Sequence, residues 1–371
     1  MIIATDRYYI PIIQQYYSEP IRRWLAEQVV NLFVEIHPSG KAGCINRCQH
    51  CTGALPIGMK SPETIPIKPL IVFIYSLPEH DVRKLVISGC RTEPFTYKYI
   101  DEVIKAAKAS NLSVGIHTTG ELLTPDLMRL IAYQATPDSY ISFSIDAYDS
   151  PCYNEGHQPL NKKGDAFSKI IKNAFEIGQL KSEFGSTLKI NWHYLFLKCN
   201  VHSKEGIQHF IELAKDSGAN HVRFSTPLFP VNNKGQHRRF EIVSKEEVEQ
   251  ATSYVEHARQ EIEETPDFRV SVIPYVSPFE FLEKPSFRFC YHGELIRVIG
   301  SDGFIYPCTA VASVAFAYLR RGQVEDFWKV WQEKHILRVP EDCPGTYCDR
   351  FEGAFNRYVE QLVQNERPEE L

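Results

Sequence analysis

Cys44-Ile45-Asn46-Arg47-Cys48-Gln49-His50-Cys51 follows closely on the apolar run Val30–Ile36 (VNLFVEI), and the fold follows from this juxtaposition. The β-branched and aromatic content of the run predicts a strand. Three thiols within eight residues, carried on a loop at a strand's end, can converge on one metal centre. A structural zinc takes four protein ligands, and His50 is at hand as the fourth. The same three thiols suit a [4Fe–4S] cluster that keeps one iron open. Both readings stand at this level.

Beyond the loop, strands and helices alternate. Strand patterns fall at Lys84–Ile87, Leu112–His117, Tyr140–Ile145, Leu188–Leu197 and Asn220–Phe224. Helical patterns lie between them at Thr64–Ser76, Tyr97–Ser110, Pro125–Ala132, Asp165–Gly178 and Lys204–Ser217. Ile100, Val103, Ile104 and Ala107 give the i, i+3, i+4, i+7 stripe of a half-buried helix. Six strands in such alternation predict a parallel sheet with right-handed crossovers, and function gathers at the carboxyl ends of its strands. After Pro227 the character changes to a loop, Phe229–Phe240, a charged helix pattern, Lys245–Glu264, and a hairpin pattern around Gly300-Ser301-Asp302-Gly303. Helices are expected at Glu19–Val29, covering one end of the barrel, and at Phe351–Val363.

The C-x3-C-x2-C spacing of Cys44, Cys48 and Cys51 after the first strand, with this alternation behind it, resembles the radical SAM superfamily over about Val30 to Ser225. The resemblance implies an α/β fold, a partial (β/α)6 TIM-like barrel, at about 30–235, preceded by a capping segment at 1–29. It implies that S-adenosyl-L-methionine binds the open iron and is cleaved to a 5′-deoxyadenosyl radical that takes a hydrogen atom from a substrate. An electron-donor protein such as a flavodoxin or ferredoxin is implied as partner. His50 stands where the family places a ring near the adenine. Ser88-Gly89-Cys90-Arg91-Thr92-Glu93-Pro94 resembles, imperfectly, the family's "GGE" segment, which assigns Glu93 to the methionine amino group. Ser144 and Asp146 look like the polar residues near the ribose and the methionine carboxylate. A strand-ending Asp that caps the following segment remains the alternative for Asp146.

Cys290, Cys308, Cys343 and Cys348 form a second set. Cys290 followed by Gly303-Phe304-Ile305-Tyr306-Pro307-Cys308 resembles the start of the SPASM and Twitch extensions of that superfamily. Four cysteines match the shorter Twitch form with one auxiliary [4Fe–4S] cluster, making two clusters in all, in a small C-terminal iron–sulfur subdomain at 285–350, after a linker and helix at 236–284 and before a helix and tail at 351–371. Zinc on four thiolates is the alternative.

Cys90, Cys152 and Cys199 remain. Cys199 ends the fifth strand and Cys152 follows the fourth, so either can be a hydrogen-atom donor to a substrate radical; buried packing is the bland account. His193, His221 and His237 read as isolated structural or exposed histidines. Lys234, Arg238 and Arg239 make a small basic loop.

Composition bounds the rest. The chain has 371 residues, 43% hydrophobic and 23% charged, with a formal net charge of −5, as in a soluble enzyme and against bulk nucleic-acid binding. It contains no run approaching the ~18–20 apolar residues of a membrane span and no signal-peptide pattern, so a cytoplasmic location is expected. Ten cysteines in such a chain read as metal or redox ligands before disulfides. The substrate readings are a small sugar, polyol or aminocyclitol undergoing epimerisation, oxidation or dehydration in natural-product biosynthesis; a ribosomally made peptide undergoing epimerisation or crosslinking; and, in another class, a non-catalytic metal-binding protein.

Overall fold

The computed structural model describes residues 5–26, 32–39, 44–48, 50–51, 64–89, 92–133, 135–161, 163–227, 243–262, 264–275, 287–312, 318–333, 336–339, 341–343, 348 and 351–366. Cys90, His237 and the basic loop Lys234, Arg238, Arg239 lie outside these. In chain order the elements are α1 (Asp6–Leu25), β1 (Phe33–Ile36), α2 (Ile67–Ser76), β2 (Lys84–Ile87), α3 (Ile100–Ala109), β3 (Ser113–Thr118), α4 (Pro125–Ala132) and β4 (Tyr140–Ser144). Then come α5 (Ser150–His157), α6 (Ala166–Glu183), β5 (Lys189–Leu195), α7 (Lys204–Asp216), β6 (His221–Ser225), α8 (Lys245–Ile262) and β7 (Arg269–Val272). The C-terminal part adds β8 (Phe289–Cys290), α9 (His292–Leu295), β9 (Ile296–Ile299), β10 (Ile305–Tyr306), α10 (Phe327–Gln332), β11 (Leu337–Arg338) and α11 (Phe351–Glu366).

Nine strands form one sheet in the order β10-β9-β1-β2-β3-β4-β5-β6-β7. Every neighbouring pair is parallel except the β9–β10 hairpin. The expected partial barrel is present, and two further parallel strands flank its six. β7 follows β6, and β9 lies beside β1, pairing Phe33 with Ile296 and Ile36 with Ile299. The C-terminal hairpin is thus built onto the barrel's own sheet.

Period-two alternation sorts the strands' side chains. Val34, Ile36, Leu85, Ile87, Phe143 and Trp192 pack outward in one large core beneath the helices. The opposite, concave face is polar, carrying Glu35, His117, His193 and Arg223. The helices start on side-chain caps: Asp165 accepts from Ser168 N, Ser203 from Gly206 N and Thr124 from Leu127 N. Each such cap is worth about 1 kcal/mol.

The N-terminal helix departs from expectation. It begins at Asp6 rather than Glu19 and runs to Leu25, with Pro11 and Pro20 inside it; positions 27–29 of the expected span lie outside the described residues. Tyr9, Ile13, Tyr17, Ile21 and Leu25 recur every four residues, and this stripe packs on α11 in a cluster with Ile273 and Leu295. That burial outweighs the two lost backbone donors. The paired helices α1 and α11 fill the space between the end of β7, at Ile273, and the approach to β9, at Leu295. Asp6 and Arg357, both buried, lock them by a bidentate pair with Nε 3.1 Å from each carboxylate oxygen.

Candidate active site

The first cysteine loop follows the carboxyl end of β1 and packs against α5, the helix after β4. Arg47 N donates to the carbonyls of His157 and Gln158, and Leu160 N to that of Ile45, so the loop is tied to the end of α5. Asp149 begins α5 by accepting from Cys152 N at 2.8 Å. Tyr153 and His157, four residues apart on one face of this helix, turn to the loop. Their rings stack with centroids 4.3 Å apart, and Tyr153 accepts from Asn46 Nδ2 at 3.3 Å.

His157 Nδ1 lies 3.3 Å from Cys48 Sγ, and its Nε2 meets Asp146 Oδ2 at 3.3 Å. Burial alone lowers an imidazole's pKa, but the Cys48 sulfur and the Asp146 carboxylate override it and push His157 up to about 10. His50 differs. Burial, then His157, hold it down to about 4 although Asp146 lies 3.8 Å away. Ligand atoms of Cys48, His50 and His157 all lie within 4.8 Å of one another. Cys44 and Cys51 are half-buried, and the Cys44 thiol is raised, by burial first and by Cys48 among lesser causes.

Asp146 is held in the left-handed region at φ 55°. Its Oδ1 accepts from Leu195 N at 2.8 Å and its carbonyl from Asn200 Nδ2 at 2.8 Å. The strain is thereby over-determined by two neighbouring segments, and Oδ2 is left facing His157 and His50. Ser144 ends β4 half-buried, in register with His193.

Glu93 follows a turn at Gly89, where a Cβ would stand 1.8 Å from Thr92 O. Its buried carboxylate accepts from Thr118 Oγ1 at 2.5 Å and Phe95 N at 3.4 Å on one oxygen. The other oxygen accepts from Thr119 N at 2.9 Å and Thr119 Oγ1 at 3.0 Å. Burial raises its pKa and these bonds oppose the rise. Four acceptor positions are filled, so a ligand's amino group must share an oxygen or displace the long bond from Phe95.

Cys152 and Cys199 face each other, Sγ to Sγ 3.4 Å, with the buried Cys152 donating. Within this coupled pair Cys199 is lowered, first by that bond, and Cys152 raised by it.

The second set also converges. Cys290, Cys308, Cys343 and Cys348 share one apolar cluster and form no disulfide. Burial first, then mutual repulsion, raises Cys290 to about 11 and Cys308 and Cys348 well above the usual thiol range. Thr309, next to Cys308, donates to Glu35 Oε2 at 2.7 Å and so anchors this set to β1.

Sequence reasoning missed His157, Tyr153, Asn200 and Arg223. A Tyr-x3-His pair behind an Asp cap was visible for the first two; Asn200 and Arg223 gave no local signal.

A strand-ordered partial α/β barrel with three cysteines on the loop after its first strand defines the class. No protein-family model matches the chain. It is 23% identical over 322 residues to the AdoMet-dependent heme synthase of Methanosarcina barkeri, covering 82% of this chain and 84% of that one. Its fold is shared with SuiB of Streptococcus suis, solved with S-adenosylmethionine: TM-score 0.61, 16% identity, 88% of this chain and 69% of that one. It is shared also with anSMEcpe bound to AdoMet, at TM-score 0.58 and 14% identity over 82% of this chain and 78% of that one. The chain shares the fold of these S-adenosylmethionine-bound structures and has three cysteines on the loop after β1. Among the described residues no helix is long and apolar enough to cross a membrane.

Proposed function

We propose that this chain is a radical SAM enzyme acting on a small polar molecule, a sugar, polyol or aminocyclitol, held on the concave face of the barrel, with epimerisation, oxidation or dehydration as the outcome. The observation that carries the reading is the Cys44-Cys48-Cys51 loop seated at the strand ends with His157 against Cys48. Three thiols outside any disulfide, beside a buried imidazole nitrogen without a hydrogen-bond partner among the described residues, His50 Nδ1, fit an iron–sulfur cluster and its ligand. When bound, the cluster supplies the electron that cleaves S-adenosylmethionine to the radical that takes the substrate's hydrogen atom.

The chain's own residues do the rest. Cys44, Cys48 and Cys51 are the ligands. His157 Nδ1–H donates to the Cys48 sulfur, Asp146 orients that imidazole, and Tyr153 covers its face. Glu93 fixes the loop after β2 against the end of β3. Ser144 and His50 stand ready for the nucleoside. Cys290, Cys308, Cys343 and Cys348 hold an auxiliary cluster. Among the described residues Cys48, His50 and His157 are the group converging within 4.8 Å. Cys199, backed by Cys152, is the candidate hydrogen-atom donor.

A peptide substrate is the second reading. SuiB is also solved with precursor peptide SuiA, at TM-score 0.60, and anSMEcpe with the Cp18Cys peptide, at 0.57. Anaerobic turnover of candidate sugars and candidate precursor peptides, with products followed by mass spectrometry, separates the two. A mass change in a peptide but in none of the polyols puts the peptide first.

A further inference from the structure

Among the described residues, the cation on the barrel's concave face has no counter-charge. Arg223 is the middle residue of β6, in the rung that joins Ser144, His193 and Ser271 across four strands. Its Nη2 lies 3.1 Å from His193 Nδ1. A guanidinium cannot give up its proton, so Nδ1 accepts and the His193 proton resides on Nε2. That Nε2–H has no hydrogen-bond partner among the described residues. Arg223 Nε is buried and likewise lacks a partner. No carboxylate among the described residues stands within ion-pair distance of Arg223. The acid that shares this face, Glu35, is taken by His37 Nε2 at 2.8 Å and by Thr309 at 2.7 Å.

This arrangement is costly unless it is completed. A guanidinium drawn out of water without an anion loses several kcal/mol of hydration, and a buried donor without an acceptor adds to that. Nor do the neighbours screen it. His117, His193 and His221 are all pushed below the usual imidazole range, by burial first and by Arg223 among the further causes. They remain neutral and leave Arg223 as the charge of the rung.

We propose that Arg223 and His193 form a recognition point for a carboxylate, whose two oxygens accept from the unused guanidinium donors and from His193 Nε2–H. A planar fork of donors matches a planar pair of acceptors. The carboxylate comes either from the substrate, then an acidic sugar, or from the methionine end of S-adenosylmethionine; both sources rest on the function proposed above.

Isothermal titration and NMR on the cluster-loaded protein test this, with wild type, Arg223→Gln and Arg223→Lys compared. The probes are S-adenosylmethionine, 5′-methylthioadenosine, which lacks the carboxylate, and [13C]acetate added to S-adenosylmethionine-loaded protein. If the cofactor's carboxylate is the ligand, Arg223→Gln weakens S-adenosylmethionine by about tenfold or more while 5′-methylthioadenosine is unchanged. If the substrate's is, S-adenosylmethionine binds both proteins alike, and acetate binds wild type but not Arg223→Gln. Arg223→Lys keeps part of the affinity in either case. Removing an uncompensated cation should leave thermal stability unchanged or raised. Equal binding of every probe by wild type and Arg223→Gln overturns the proposal, as does marked destabilisation of that variant. Failure of wild type to bind S-adenosylmethionine at all refutes the enzyme reading and leaves the acetate arm, run without it, to judge Arg223.

Discussion

Glu93→Gln separates loop architecture from ligand contact. The carboxylate fills four acceptor positions with Thr118 Oγ1, Phe95 N, Thr119 N and Thr119 Oγ1. An amide keeps one oxygen and turns the other into a donor. If the nitrogen faces Thr119, a backbone N–H meets an N–H. If it faces Thr118, the hydroxyl and Phe95 N both lose their acceptor. Either orientation leaves a buried donor unsatisfied, at about 1–3 kcal/mol, and gives up charge assistance in the bonds that remain. A loss of about 2 kcal/mol is therefore expected. With an unfolding entropy of about 2.1 cal/mol/K per residue over 371 residues, this lowers Tm by about 2–3 °C. Glu93→Ala removes all four bonds and should cost about twice as much. Calorimetry without S-adenosylmethionine reads the architectural part alone. A Glu93→Ala melting temperature within about 1 °C of wild type would overturn this expectation, because the four bonds would then hold nothing.

Further outcomes are specific. Asp6→Asn removes the carboxylate charge from the buried pair with Arg357 and should cost about 3 kcal/mol in urea unfolding; a change below about 0.5 kcal/mol assigns the α1–α11 contact to its apolar stripe alone. His117, half-buried and bonded to Tyr140, is lowered by burial from 6.5 to about 4. Its folded value lies below the unfolded one, so its contribution is present above pH 6.5 and is lost as pH falls from 6.5 to about 4. His117→Gln should flatten that limb by as much as about 3 kcal/mol, and an unchanged limb contradicts the assignment. Cys199→Ala should retain 5′-deoxyadenosine formation and lose any product that needs a returned hydrogen atom; unchanged product leaves Cys199 as a packing partner of Cys152. Reconstituted protein should carry about eight irons per chain, and the Cys44/Cys48/Cys51→Ala variant about half of that.

Regular elements were legible where local pattern and tertiary demand agree. Lys84–Ile87 and Pro125–Ala132 have the bounds their patterns gave, because an aliphatic run buried on one face and a Thr-Pro start each carry their own limits. The first helix was misplaced because Pro20 reads locally as a start, whereas the i+4 stripe from Tyr9 to Leu25 finds its partner some 350 residues away on α11. The cysteines stand out in the composition as an excess, and their spacing sorts them into a set of three, a set of four and three unassigned, Cys90, Cys152 and Cys199. The partners that shape them were not visible. His157 meets Cys48 across 109 residues, and Arg223 meets His193 across 30. Such contacts depend on strand order, which no single segment encodes. The likeness to a radical SAM loop supplied Glu93 and Asp146, while the geometry adds what holds them: Thr118 and Thr119 for one, Leu195 and Asn200 for the other.

The most direct test is the release of 5′-deoxyadenosine from S-adenosylmethionine by anaerobically reconstituted protein under a strong reductant, wild type against Cys48→Ala. Wild type should be brown, hold iron and sulfide in equal amounts and release 5′-deoxyadenosine steadily, while the variant releases none. Colourless wild-type protein holding one zinc and no sulfide, or release that persists in Cys48→Ala, contradicts the assignment of this loop to a radical SAM cluster.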